Sequence, residues 1–248
     1  MNKEIAVLIP AHNEEKTIGE LVSELKKRFG TVVVVDDGSS DRTGIIATEN
    51  GATVLRHPVC MGKGEALKTG FRYILENLVG ISAVLTMDGD GQHKVKDVES
   101  FLAAYRKQKG VSIWVGKRKI KGTEMPFIRR LTNISMSIII SFLSGQWIPD
   151  TQNGFRLIKK EVIKNVHLIT SHFETESELL IKSGWHRYRI ASVPISTVYS
   201  SEKSKIRPVT DTLRFFRMLA VIIYPPLMRL SLTHISSPLR GEDVGGGE

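Results

Sequence analysis

Apolar residues in the first half of the chain fall in short unbroken runs, each followed by a stretch where they recur every three or four positions. Ile5 to Ile9 is the first run, ends at Pro10, and reads as a buried strand. Glu14 to Arg28 then places Ile18, Leu21, Val22 and Leu25 on one helix face. Thr31 to Val35 is a second strand, β-branched throughout and halted by Asp36-Asp37-Gly38-Ser39. Asp41 suits the N-cap of a helix reaching Asn50, and Ala52 to Leu55 is a third strand. Lys63 to Leu78 is helical, Ser82 to Met87 a fourth strand, Val95 to Lys107 a helix, and Val111 to Val115 a fifth strand. The second half is less regular. It holds an apolar helix over Ile134 to Ile148, a helix near Glu174 to Ser183, a strand near Arg189 to Val198, and a last helix to Ile223.

Strands alternating with helices predict an α/β fold, a mostly parallel central sheet flanked by helices. Ligands of such sheets bind beyond the carboxyl ends of the strands. Those ends carry Pro10 to Glu14, Asp36-Asp37 and Asp88-Gly89-Asp90, so three polar clusters should meet on one rim.

Composition narrows the partners. The chain has 248 residues, 41% hydrophobic and 25% charged, enough for a soluble core in one domain with a modest appendage. A net charge of +9 favours anionic partners: phosphorylated small molecules, acidic lipid or nucleic acid. Aromatic residues are 7% and none interleave with the basic cluster around Lys117 to Arg130, which argues against nucleic acid. The single cysteine, Cys60, excludes an intramolecular disulfide and fits the cytoplasm. The N-terminus lacks the long apolar run and cleavage site of a signal peptide. No window reaches the roughly 18 to 20 apolar residues of a spanning helix. Ile134 to Ile148 and Met218 to Met228, the latter flanked by arginines, read either as buried helices or as amphipathic helices lying on a membrane surface. The tail over 233–248 is Gly-rich and acidic toward its end and is expected to be disordered.

Asp88-Gly89-Asp90-Gly91-Gln92 follows a buried strand and offers two carboxylates and a carboxamide, an all-oxygen set for Mg²⁺ or Mn²⁺. An EF-hand is excluded, because His93 stands where its calcium loop requires glycine. Gly62-Lys63-Gly64 lacks Walker spacing and reads as a glycine turn opening a helix, with Lys63 a candidate for facing a donor. Arg118, in a basic cluster, suits a pyrophosphate, a lipid phosphate or a membrane surface.

IPAHNEEKTI, VVVVDDGSSDRTG, GKGEALKTGF, LTMDGDGQH and DTQNGFRL, in this order, resemble family 2 glycosyltransferases. The similarity is closest to the dolichyl- or polyprenyl-phosphate mannosyl- and glucosyltransferases and covers residues 4 to 215. It implies a GT-A fold, with a nucleotide-binding half over about 1–116 and an acceptor- and membrane-facing half over 117–232 of one domain. It implies that Pro10, His12, Glu14, Val35 and Asp37 line a nucleotide pocket. Asp88, Gly89, Asp90 and Gln92 would form the metal and diphosphate site, Arg118 would contact phosphate, and Lys205 would close over the diphosphate. His12 departs from the tyrosine usual there, and Tyr199 from an arginine six residues before the loop lysine. Asp150 and Arg156 are expected to shape the acceptor side, Asp150 as general base if the acceptor is a hydroxyl.

The expected activity is inverting, metal-dependent transfer from a nucleotide-diphosphate-sugar to a lipid phosphate, by a cytoplasmic protein held peripherally at the membrane. The alternatives are transfer to a hydroxyl of a glycan or glycolipid, and a non-catalytic nucleotide-sugar-binding adaptor. A membrane-protein partner or a homo-oligomer is left open.

Overall fold

The computed structural model describes residues 1–118, 127–196 and 208–223, with backbone alone at 127–130, 208, 209 and 211. Lys205 and the tail over 233–248 lie outside the described residues. Contacts divide the chain into two compact units, over 1–205 and 206–248.

In the first unit, β1 (Asn2–Ala11), β2 (Phe29–Asp36), β3 (Thr53–Arg56), β4 (Ala83–Thr86), β5 (Ile113–Arg118), β6 (Arg156–Lys159) and β7 (Ile190–Ile195) form one sheet. Its order is β3-β2-β1-β4-β6-β5-β7. Helices α1 (Ile18–Lys26), α2 (Thr43–Glu49), α3 (Lys63–Asn77), α4 (Val98–Lys107), α5 (Phe127–Ser144), α6 (Lys160–Asn165) and α7 (Glu174–Trp185) connect the strands. Ile5 through Ile9 and Val33 through Val35 are wholly buried. Their unbroken apolar runs follow from a parallel sheet covered on both faces. The α1 face predicted from periodicity, Ile18, Leu21, Val22 and Leu25, is the buried one.

Two elements were not legible in the sequence. Strand β6 (Arg156–Lys159) is four residues long and continues directly into α6 (Lys160–Asn165). It runs antiparallel to both neighbours, Thr86 opposite Arg156 on one side and Val115 opposite Arg156 on the other. This reversal decides the site, because it brings the segment entering β6, Asp150 to Phe155, to the rim where β4 and β5 end.

Helix α5 starts at Phe127 rather than Ile134 and stops at Ser144, where Gly145 takes φ +68° and terminates it. Its buried side is a polar seam. Ser137 Oγ bonds the Thr151 hydroxyl at 3.0 Å, and Ser141 Oγ accepts from Ile148 N at 2.9 Å. The second unit is described through α8 (Pro208–Ile223), a helix opened by proline. Among the described residues no helix is long and apolar enough to cross a membrane.

Candidate active site

The turn after β1 is built to hold two loops. Asn13 adopts φ +55°, which asparagine tolerates, and its N–H donates to Ser39 Oγ at 2.9 Å while its Oδ1 accepts from Ser40 N at 2.9 Å. His12 Nδ1 donates to the Asp37 carbonyl at 2.8 Å. Glu14 is buried, and its N–H donates to Thr43 Oγ1. Thr17 Oγ1 donates to the Gly89 carbonyl at 2.6 Å, fixing the loop after β4 against the start of α1. Pro10 pairs with Val35 in the sheet; the Val35 side chain is wholly buried, so its main chain alone can border a ligand.

Asp37 is occupied within the protein. It accepts from Met61 N and Gly62 N, both at 2.8 Å, and from His57 Nδ1 at 2.7 Å. Burial would raise its carboxyl, but those hydrogen bonds outweigh burial and hold it below the usual carboxylate range. Asp37 thus staples the 57–62 loop that delivers Lys63. The glycines on either side of Lys63 are packing requirements. Gly62 has φ +102°, and a Cβ on Gly64 would stand 1.9 Å from Thr175 Oγ1 and 2.6 Å from the Ser171 carbonyl carbon. Gly64→Ala should therefore cost about 1–3 kcal/mol of stability. A thermal melt should show the midpoint falling by several degrees, and an unchanged midpoint would mean the 171–175 segment yields freely.

Lys63, Asp88 and Glu176 form the electrostatic centre. Lys63 Nζ lies 2.6 Å from Asp88 Oδ1 and 2.8 Å from Glu176 Oε2. Burial would lower the Lys63 ammonium, but Asp88 and Glu176 overcome it and raise it above its ordinary range. The other Asp88 oxygen, Oδ2, stands 3.4 Å from His93 Nε2. Burial works against the Asp88 anion too, and Lys63 and His93 reverse it, leaving the carboxyl well below normal. Asp90 goes the other way, raised first by burial and then by the Asp88 charge, and its Oδ1 accepts from Gln92 N at 3.0 Å. Glu176 and His93 were not singled out as site residues in the sequence: Glu176 lies far from any strand-end cluster, and His93, next to Gln92, served there only to exclude an EF-hand.

Arg156 is 1% exposed. Its guanidinium donates to the main-chain carbonyls of Asn153, Glu176 and Thr151 at 2.7–2.9 Å, clamping the Asp150–Phe155 segment to the start of α7. Asp150 meets Arg118. Asp150 Oδ2 accepts from Arg118 N at 3.1 Å and Nε at 2.8 Å, and Oδ1 accepts from Nη2 at 2.8 Å.

Among the described residues, no three His, Cys, Asp or Glu side chains are grouped to hold a metal by themselves. Two carboxylates on one loop, with Gln92 beside them, still fit Mg²⁺ or Mn²⁺, which commonly take one or two carboxylates and leave the remaining positions to phosphate and water. The donor set suits a metal that arrives with a diphosphate.

A mostly parallel sheet with acidic loops at the carboxyl ends of β1, β2 and β4, and an antiparallel strand returning a second polar segment to them, is the GT-A architecture of nucleotide-sugar enzymes. The chain belongs to glycosyl transferase family 2, whose model matches residues 6–166, and it is a glycosyltransferase. It is 36% identical over 226 residues to the uncharacterized protein MJ1222 of Methanocaldococcus jannaschii, covering 89% of this chain and 91% of that one. It is 30% identical over 222 residues to the UDP-N-acetylglucosamine–dolichyl-phosphate N-acetylglucosaminyltransferase of Methanococcus voltae, covering 80% of this chain and 87% of that one. Among solved structures, glucosyl-3-phosphoglycerate synthase from Mycobacterium tuberculosis, in complex with Mn²⁺, UDP and phosphoglyceric acid, superposes with a TM-score of 0.65. That match is 21% identical and covers 86% of this chain and 74% of that one.

Proposed function

We propose that the protein transfers a sugar from a nucleotide-diphosphate-sugar to a polyprenyl-type lipid phosphate, inverting the anomeric carbon, at the surface of a membrane. The observation that carries the acceptor assignment is the Arg118–Asp150 pair. A hydroxyl acceptor needs a general base. Asp150, the candidate for that task, has both oxygens hydrogen-bonded to Arg118 and so committed to that pair. The same contacts hold a guanidinium in one orientation, which suits recognition of a phosphate. A phosphate acceptor is ionised near neutral pH and needs no base.

The lipid-phosphate oxygen forms the new bond to the anomeric carbon as the bond to the diphosphate oxygen breaks, and the nucleoside diphosphate leaves with the electron pair. Asp88 and Asp90, with Gln92 beside them, would hold Mg²⁺ or Mn²⁺, which when bound neutralises charge on the departing diphosphate. The turn from Pro10 to Glu14, with the Asp37-stapled loop, borders the nucleoside. Arg156 acts as a positioning residue for the Asp150–Phe155 segment. Catalysis then rests on placement and charge compensation.

Helix α5 supports the membrane-surface assignment. With serines turned inward, it presents Leu131, Ile134, Ile138 and Phe142 outward at helical spacing, and Phe142 is 84% exposed. Trp147 and Trp185 are exposed nearby, the latter donating its indole N–H to the Leu143 carbonyl. Tryptophans beside an apolar face suit a membrane–water interface. The relatives that covered most of their own lengths include two with dolichyl-phosphate in their names.

The test is incubation with Mn²⁺, polyprenyl phosphate in membranes and a panel of radiolabelled nucleotide sugars, followed by extraction into organic solvent. Label is expected in a lipid released by mild acid. Transfer only into water-soluble or protein-bound material would overturn the acceptor. No turnover across the panel would overturn the donor class.

A further inference from the structure

The Lys63–Asp88–Glu176 arrangement has a property that a simple metal pair would not. The Asp88 carboxylate already has a cation on Oδ1, and that same ammonium has a second carboxylate within reach in Glu176. The Gly62 and Gly64 backbone that carries Lys63 lies against the 171–175 segment, and the ammonium also lies 5.9 Å over the Phe173 ring. Arg156 adds a buried positive charge 3.9 Å from the Glu176 carboxylate.

Charge accounting then separates two ways of loading the site. A divalent ion entering alone at Asp88 brings uncompensated positive charge beside the Lys63 ammonium. A divalent ion entering with a doubly charged diphosphate leaves the net charge as it was. At short range and in partly buried surroundings these differences outweigh solvent screening.

We infer that Lys63, held between Asp88 and Glu176, makes metal binding at Asp88 contingent on the donor's diphosphate, so that metal and nucleotide load together. Lys63 acts as a positioning residue that opposes a lone metal ion, and Glu176 moderates that opposition by sharing its charge. This rests on the proposed role of Asp88 and Asp90 as the metal pair. Such coupling is typically worth 5- to 150-fold in affinity.

The experiment is Mn²⁺ titration followed by electron paramagnetic resonance on the full chain, with and without UDP or GDP. Mn²⁺ bound to nucleotide alone is subtracted from a protein-free titration. Wild type is expected to bind Mn²⁺ weakly without nucleotide and on the order of 10-fold or more tightly with it. Lys63→Met should tighten nucleotide-free binding by on the order of 10-fold and shrink the nucleotide effect. Glu176→Gln should weaken nucleotide-free binding, because it removes a negative charge and returns the whole ammonium to Asp88. The two variants thus move Mn²⁺ affinity in opposite directions, which general loosening of the site would not produce. If Lys63→Met does not fold, the direction of Glu176→Gln decides. Nucleotide-free affinity unchanged or weakened in Lys63→Met, or strengthened in Glu176→Gln, overturns the coupling and leaves the metal pair standing. No Mn²⁺ binding by wild type even with nucleotide overturns the metal pair as well.

Discussion

Replacing Asp90 by alanine is expected to lower turnover by on the order of 10³-fold with the fold intact. Charge on a departing diphosphate is the largest electrostatic demand of the reaction, and a metal that neutralises it supplies several kcal/mol. Each 1.36 kcal/mol is tenfold in rate. Asp90 is a cleaner probe than Asp88. Removing Asp88 would leave the Lys63 ammonium with Glu176 alone and free His93 from its partner, mixing stability with catalysis. Asp90 is held by the Gln92 N–H on its own loop, so its loss disturbs little of the surrounding packing. Its carboxyl is raised by burial and by the Asp88 charge, so ionising it beside Asp88 costs energy in the absence of a cation. Alanine relieves that cost. The variant should melt no lower than wild type while losing activity, and Asp90→Asn should follow it closely. Steady-state rates with saturating Mn²⁺, beside thermal melts, check both halves. Activity above about a tenth of wild type would remove Asp90 from the metal pair.

The nucleotide half was legible because its signals are local. Short β-branched apolar runs such as Val32 to Val35, bounded by turn residues, read as strands buried on both faces, and the polar residues halting them mark the rim. The acceptor half was harder to read. Strand β6 (Arg156–Lys159) is too short to show a period, and its place between β4 and β5 is set by pairing with residues about 40 to 75 positions away in sequence. The serines of α5 resemble interruptions in an apolar helix until their partners at Ile148 and Thr151 are seen. The site divided in the same way. Asp88 and Asp90 announce themselves at the end of a strand. Glu176 lies in the first turn of a helix with acidic neighbours, where a carboxylate would ordinarily serve the helix dipole. Only the fold of the 57–62 loop, stapled by Asp37, brings Lys63 across to it.

Arg118 and Asp150 should behave as one unit. Arg118→Gln and Asp150→Asn are each expected to lower kcat/KM toward the lipid phosphate by about 10²-fold, as loss of one partner of a buried charge pair commonly costs 2–5 kcal/mol. Their causes differ. Without Asp150, the guanidinium loses the carboxylate that fixes its Nε and Nη2. Without Arg118, Asp150 becomes an unpaired anion facing an incoming phosphate. The double variant removes both faults together and should be no slower than the worse single one, the non-additivity expected of residues that share one interaction. A proton-accepting Asp150 would give a different pattern. Asp150→Asn would then be far more damaging than Arg118→Gln, and the double variant would add the two losses. The pH profile separates the readings again. A phosphate monoester has its second ionisation near pH 6, so the wild-type rate should level off above about pH 7. Because the nucleophile is ionised in solution, Asp150→Asn should reduce the height of that plateau and leave its position unchanged. A plateau that moves with Asp150 would make the carboxylate a base, and the acceptor a hydroxyl.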